Sequence, residues 1–229
     1  MSHQTEDFRD EVKKEFQLER MILFSDAVFA IVITLMAIEI KLPEGAHLGT
    51  TMSNAHALHL LVPAITAYVI SFFVIGAIWY RHLRLFSILK DYDKGLVIHN
   101  LALLFFIGLF PFTASLFTHA QGSVLAYTLY LGMIYCCLVA QLLLQRYILV
   151  RRPGLCVNTD LSEHKRLYQR TQVLTISFGI SIALIFLTRQ LITDPEMKTM
   201  ATWWIFLVPL SVRIFAKKKP KAAAVAAKD

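Results

Sequence analysis

The sequence predicts an all-α integral membrane protein with six transmembrane helices. Three observations predict it. Of the 229 residues, 56% are hydrophobic and 12% aromatic, more apolar surface than one soluble core of this size hides. The apolar residues fall into six runs, most near the length of about 20 residues that a helix needs to cross a hydrocarbon core of roughly 30 Å. Finally, 20 of the 23 Lys and Arg residues gather on alternate connections, as an even number of spans requires.

The runs lie near residues 22–42, 58–80, 96–117, 124–150, 172–192 and 203–215. The segment before the first, Glu6 to Glu19, mixes acids and bases and suits a short interfacial helix. It lacks the basic start, apolar stretch and small-residue cleavage site of a removable signal, so the first span is expected to be retained. The sixth run is short, and Pro209 would kink it, which membrane helices tolerate when neighbours re-satisfy the backbone. No Pro/Gly/Ser-rich linker separates the runs, so residues 1–216 read as one membrane domain and 217–229 as a basic tail.

Charge placement gives the orientation. Arg9 to Arg20, Arg81 to Lys94, Arg146 to Arg170 and Arg213 to Lys228 hold the 20 basic residues, leaving Lys41, Arg189 and Lys198 for the opposite side. The positive-inside rule then puts both termini in the cytoplasm of a multi-pass cell-membrane protein. The net charge of +7 thus reads as topology and attraction to anionic lipid head groups, with no nucleic-acid partner needed. Trp79-Tyr80, Tyr127, Tyr130, Tyr147 and Trp203-Trp204 lie near span ends, where amphipathic rings anchor.

The sequence argues against an enzyme and against a resident cofactor. It has no HExxH pattern and no paired nucleophile and base. Cys136, Cys137 and Cys156 lack metal spacing and read as inert. Glu44, His47, His56 and His59, around the Pro43 to Ala57 outer loop, are expected to be solvated and not to ligate a metal.

The first span holds the functional candidates. Asp26 lies about one turn inside the apolar run, where a carboxylate is expensive unless solvated or partnered. At roughly 100° per residue, Ile31, Thr34 or Leu35, and Ile38 form one stripe, with Phe24 seven positions before Ile31 on the same side. Asp26 points about 140° away from Ile31, toward Ala30, Ile33 and Ala37, a face whose two alanines suit close helix packing. Its potential partners are Trp79, Arg81 and His82 ending the second span and His99 and Asn100 opening the third, with Arg20 nearby. An Asp–His–Asn cluster and simple interfacial placement of the two His are both open here.

Thr34 is the one polar side chain of the stripe. Two readings stand beside each other: a hydroxyl bonded back to its own turn, or a ring of hydroxyls facing a symmetry axis and an ion that sheds water. Glu39 would gather cations at the mouth or pair with Lys41. A secondary transporter with Asp26 and His82 as a proton relay is the main alternative to a pore, although inverted repeats and paired broken helices are missing.

Arg20-x-x-x-Phe24-Ser25-Asp26, continued by Ala-Val-Phe-Ala-Ile-Val-Ile-Thr-Leu, resembles the signature of the transmembrane protein 175 family of endolysosomal and prokaryotic potassium channels. The likeness extends to Ser71 through His82, with its Trp79-Tyr-Arg-His82 ending, and to His99-Asn100 leading to Phe110-Pro111-Phe112. It covers the first three spans specifically. This chain has a single copy of the motif, so the resemblance implies a prokaryotic-type homotetramer with four first helices around a central pore. It implies a passive channel with modest preference for K⁺ over Na⁺ and no metal beyond permeating K⁺. By the same resemblance Ile31 forms the narrow constriction, with Thr34 or Leu35 and then Ile38 beyond it. Arg20, Phe24, Ser25, Asp26, Trp79, His82 and Asn100 map to the interhelical network that holds the pore helices.

Overall fold

The computed structural model describes residues 2–38, 40, 54–120, 123–157, 160–192 and 208. They form five helices: α1 (Ser2–Ile38), α2 (Asn54–Phe86), α3 (Lys94–His119), α4 (Val124–Arg146) and α5 (Ser162–Leu191). Each is long and apolar enough to cross a membrane. The expected sixth span, apart from Val208, and the basic tail lie outside the described residues, as do Glu39, Lys41 and Trp203-Trp204.

α1 corrects one expectation. The Glu6 to Glu19 segment is not a separate interfacial helix but continues unbroken into the span. No Gly or Pro occurs from Ser2 to Ile38, so nothing in the backbone forces a break at the change from polar to apolar side chains. α2 likewise starts early, so His56 and His59 belong to its first turns and not to a loop.

The chain divides into two compact units, Met1–Asp160 and Leu161–Asp229. In the first, α3 is the central element, packing on α4, α1 and α2. Its buried face (Leu96, Leu103, Ile107 and Phe110) repeats at helical spacing and is fully enclosed. The Ser71 hydroxyl and the Tyr130 hydroxyl, 2.9 Å apart, pin α2 to α4. The Tyr130 ring packs on Phe110 and Phe117, with centroids 5.8 and 5.1 Å away. Tyr130 is therefore a core residue and not the interfacial anchor its position near a span end suggests, because its hydroxyl finds a buried partner.

At the other end of the bundle, rich in Lys and Arg, Asp93 organises the junction of α3 and α4. Its carboxylate caps α3 by accepting from the Leu96 N–H (2.7 Å), accepts from the Tyr147 hydroxyl (2.7 Å) and lies 3.7 Å from Arg152. Partial burial pushes the Asp93 carboxyl up, but these donors outweigh it and hold the group below the usual carboxylate range. α4 ends in a π-helical turn, Tyr147–Arg151, which brings Tyr147 over His99 with rings 4.5 Å apart. Gly95 makes that approach possible, since a Cβ there would fall on the Tyr147 hydroxyl and ring. The α2–α3 loop is tied down by Lys90 N–H to Leu155 C=O (2.9 Å) and Val157 N–H to Ile88 C=O (2.8 Å). The buried Cys156 beside them has its thiol pushed up by burial, which suits an inert role.

In the second unit, α5 carries Thr171, Thr175, Ser177 and Ser181, each hydroxyl donating to a carbonyl of its own helix 2.8–3.1 Å away. Such back-bonding satisfies polar groups on a membrane-length helix without a partner helix.

Candidate functional site

α1 has two unlike faces along its apolar half. Ser25, Phe29, Val32 and Met36, spaced four, three and four residues apart, are buried within the subunit. Opposite them, Phe24, Ile31, Leu35 and Ile38 are 54%, 57%, 44% and 65% exposed, and Thr34 is exposed between them. The Thr34 hydroxyl donates to its own helix, 2.8 Å from the Ile31 carbonyl and 3.1 Å from that of Ala30. Its proton is thus committed, and its oxygen lone pairs are what it presents outward.

The buried face is held by a polar chain. The Ser25 hydroxyl donates to the Met21 carbonyl, 2.8 Å away, so its oxygen is left to accept from the Asn100 side-chain N–H at 2.9 Å. That fixes the amide, turning Asn100 Oδ1 toward His82 Nε2 at 2.9 Å. An amide oxygen only accepts, so Nε2 carries a proton, and in the neutral ring His82 Nδ1 then has a bare lone pair. The His82 ring is enclosed by Phe86, stacked 4.0 Å away, and Phe29 at 5.6 Å. Ser25, His82 and Asn100 are each no more than 1% exposed. A chain of satisfied bonds at such depth fixes helix rotation and register, because breaking it strands a buried polar group.

Asp26 lies beside this chain. Its Oδ1 accepts from the Trp79 indole N–H at 2.9 Å, joining α1 to α2 on the half-buried edge of the pair. The small residues Ala30 and Ala37, expected to pack tightly on that side, are exposed in the subunit; the close contact uses Ser25, Phe29, Val32 and Met36 instead. Arg20 is exposed, with its guanidinium 5.9 Å from the Phe16 ring centroid, and takes no part in the chain. His99 is also separate: its Nδ1 bonds the Gly95 carbonyl at 2.7 Å and its ring stacks on Tyr147. Of the two His, only His82 joins the polar cluster. Phe29 and Phe86, which wall it in, and the Met21 carbonyl that ends it were not singled out from the sequence.

These residues lie within the part of the chain that a family model matches. The family model described as the endosomal/lysosomal potassium channel TMEM175 matches residues 20–111, from Arg20 past Asn100. A protein named as a potassium channel in Chryseobacterium sp. (strain P1-3) is 30% identical over 172 residues, spanning 73% of this chain and 83% of the relative. The chain belongs to the TMEM175 family. A named potassium channel of Streptomyces collinus is 38% identical over 97 residues, 42% of this chain and 46% of its own. The human endosomal/lysosomal proton channel TMEM175 is 28% identical over 152 residues, and the match takes in 66% of this chain but only 30% of the human one. The family is thus one of ion channels, and this TMEM175 chain is a multi-pass membrane protein. Its fold matches the crystal structure of a lysosomal potassium-selective channel TMEM175 homolog from Chamaesiphon minutus with a TM-score of 0.67. The match has 22% identity and covers 88% of this chain and 98% of the other.

Proposed function

We propose that this TMEM175 chain assembles as a homotetramer of six-helix subunits in the cell membrane, with both termini cytoplasmic, and conducts K⁺ passively along an axis lined by four copies of α1. The observation that carries this reading is the division of α1. One face is tied to α2 by the part-buried Asp26–Trp79 bond and to α3 by the buried Ser25–Asn100 bond, while Phe24, Ile31, Thr34, Leu35 and Ile38 stay uncovered by their own subunit. Four such faces around an axis make rings of Ile and Leu with one ring of hydroxyls between them.

The mechanism follows from the chemistry of those rings. Ile31 side chains offer an ion nothing in place of its water, so the ring is a dry constriction that conducts when it widens or wets. K⁺ holds its water less tightly than Na⁺, so the constriction favours K⁺ modestly. Thr34, whose hydroxyl proton is held by its own helix, presents oxygen lone pairs to a partly dehydrated cation one turn on. Asp26, Trp79, Ser25, His82 and Asn100 are positioning residues that keep the stripe facing the axis; Arg20 and Phe24 belong with them by sequence motif. Permeant K⁺, neighbouring subunits and anionic lipid at the basic end are the partners in this reading, and no cofactor takes part.

A proton-coupled transporter built on Asp26 and His82 is disfavoured by their separate bonding. Asp26 is engaged by Trp79 and His82 by Asn100, with no hydrogen bond joining the two. Purified protein in planar bilayers tests the choice. Unitary currents that reverse near the K⁺ equilibrium potential, and that are blocked by a thiol reagent in Ile31→Cys, support the channel. Strictly coupled flux without unitary events, or a reversal potential that follows the proton gradient alone, would reject it.

A further inference from the structure

The polar chain behind α1 stops, as far as direct bonds go, at His82. Yet four buried polar atoms on α2 and α4 have no hydrogen-bond partner among the described residues: His82 Nδ1, both side-chain atoms of Gln141, and Gln145 Oε1. His82 and Gln141 are fully enclosed, and Gln145 is 1% exposed. Orphan groups at such depth are rare in folded proteins and typically mark bound water.

The helix registers bring these atoms to one depth. The Ser71–Tyr130 contact sets α2 against α4 at one end, and both helices run from there toward the basic end. His82 lies 11 residues beyond Ser71, and Gln141 lies 11 residues beyond Tyr130. Eleven residues are about 16 Å and close to three whole turns. His82 and Gln141 therefore recur on the same faces that Ser71 and Tyr130 bring together. α3 runs the other way, with Phe110 beside Tyr130 and His99 beside Tyr147, which sets Asn100 level with the Gln141–Gln145 stretch. One polar layer thus crosses the bundle through Ser25, Asn100, His82, Gln141 and Gln145, about three turns from the Ser71–Tyr130 pair.

We propose that Gln141 and Gln145 hold one or two buried waters against His82 Nδ1, extending the polar chain of α1 to α4. The chemistry of the orphans selects water over other ligands. Three are acceptors (the His82 lone pair and the two amide oxygens) and one, Gln141 Nε2, is a donor. A cation would leave the Gln141 donor unmet and facing positive charge. An apolar group would satisfy none of them. Water donates to His82 Nδ1 and to an amide oxygen while accepting from Gln141 Nε2. Gln141 is then a positioning residue for α1, acting through water, His82, Asn100 and Ser25. The inference is independent of which face of α1 an ion meets.

A cryo-electron microscopy map of the full chain in lipid nanodiscs, at a resolution that shows waters, tests it without a variant. Density within hydrogen-bond distance of both His82 Nδ1 and the Gln141 amide is expected. A direct Gln141–His82 bond, or side chains in dry contact, overturns the proposal. Nitrogen NMR of histidine-labelled protein adds a second arm. In wild type, the His82 Nδ1 resonance should be that of a hydrogen-bonded imine nitrogen and should receive magnetisation from water protons. In Gln141→Leu it should move to the position of an unbonded imine nitrogen while the Nε2–H signal stays. A wild-type Nδ1 that receives nothing from water overturns the proposal even where the variant does not fold, and an unmoved Nδ1 in a folded variant overturns it equally.

Discussion

Asn100→Leu removes the middle of the polar chain while keeping the branched outline of the side chain; its two methyl groups are bulkier than the amide, so overpacking at this enclosed site adds to the hydrogen-bond loss. In the wild type, Asn100 Oδ1 takes the His82 Nε2–H and its amide donates to Ser25 Oγ. After substitution the Ser25 proton still has the Met21 carbonyl, so on that side only a lone pair goes unmet. The main loss is at His82, whose fully buried N–H is stranded among Phe29, Phe86 and the new Leu. Stranding a buried donor costs about 1–3 kcal/mol in soluble proteins. Interhelical hydrogen bonds in membranes measure lower, averaging about 0.6 with a maximum near 1.7 kcal/mol, because the unfolded chain also finds partners. Full enclosure puts this site toward the upper end, so the expected loss is about 1–2 kcal/mol, or roughly five- to thirty-fold in the folded-to-unfolded ratio. Unfolding by denaturing detergent in mixed micelles, at one protein concentration for both proteins, measures it. A loss under about 0.5 kcal/mol, the range of surface substitutions, would refute the idea that this chain holds α1 in place.

Other outcomes follow from single contacts. Thr34→Ala should lower the K⁺/Na⁺ permeability ratio while leaving channels that open; an unchanged ratio in bi-ionic recordings rejects a role for the hydroxyl oxygen. Gly95→Ala forces a Cβ onto Tyr147, whose hydroxyl is held by Asp93, and should cost about 1–3 kcal/mol as overpacking in the same detergent titration. Asp93 has its carboxyl held below its ordinary value, so its stabilisation is fully present above the usual carboxylate range and is lost as pH falls through the lowered value. Acid unfolding monitored at the α3–α4 junction should therefore show a step below that range, and Asp93→Asn should remove it; an identical acid profile for the two proteins contradicts the assignment.

Much of the fold was legible because lipid imposes simple demands. A span must be about 20 apolar residues whatever its neighbours are, so each of the first five runs overlaps a helix long enough to cross, with ends that differ by up to about ten residues. Periodicity of 100° separates Asp26 from the Ile31 stripe, but it does not name the face that packs within the subunit, which is Ser25, Phe29, Val32 and Met36. What periodicity does not carry is which partner a polar group chooses. His82 and His99 look alike in sequence, and only the packing shows one bonded to Asn100 and the other to a backbone carbonyl beneath Tyr147. The Ala30–Ala37 edge suggested tight packing by size, yet the buried contact went to larger side chains that fill the space beside α2 and α3. Tyr130 near a span end looked like an anchor until Ser71 supplied a buried partner. Gln141 and Gln145 passed unremarked because α4 reads as uniformly apolar, and two amides mean little until their enclosure is known.

The central claim is that the exposed stripe of α1 faces an axis shared by several subunits. The most direct measurement is a reconstruction of the purified protein in nanodiscs that counts subunits and identifies the helix nearest the symmetry axis. Four subunits with Ile31 at the narrowest point, and Thr34, Leu35 and Ile38 lining the path beyond it, is the predicted result. An axis lined by any other helix, or an Ile31 stripe buried against lipid, would contradict it.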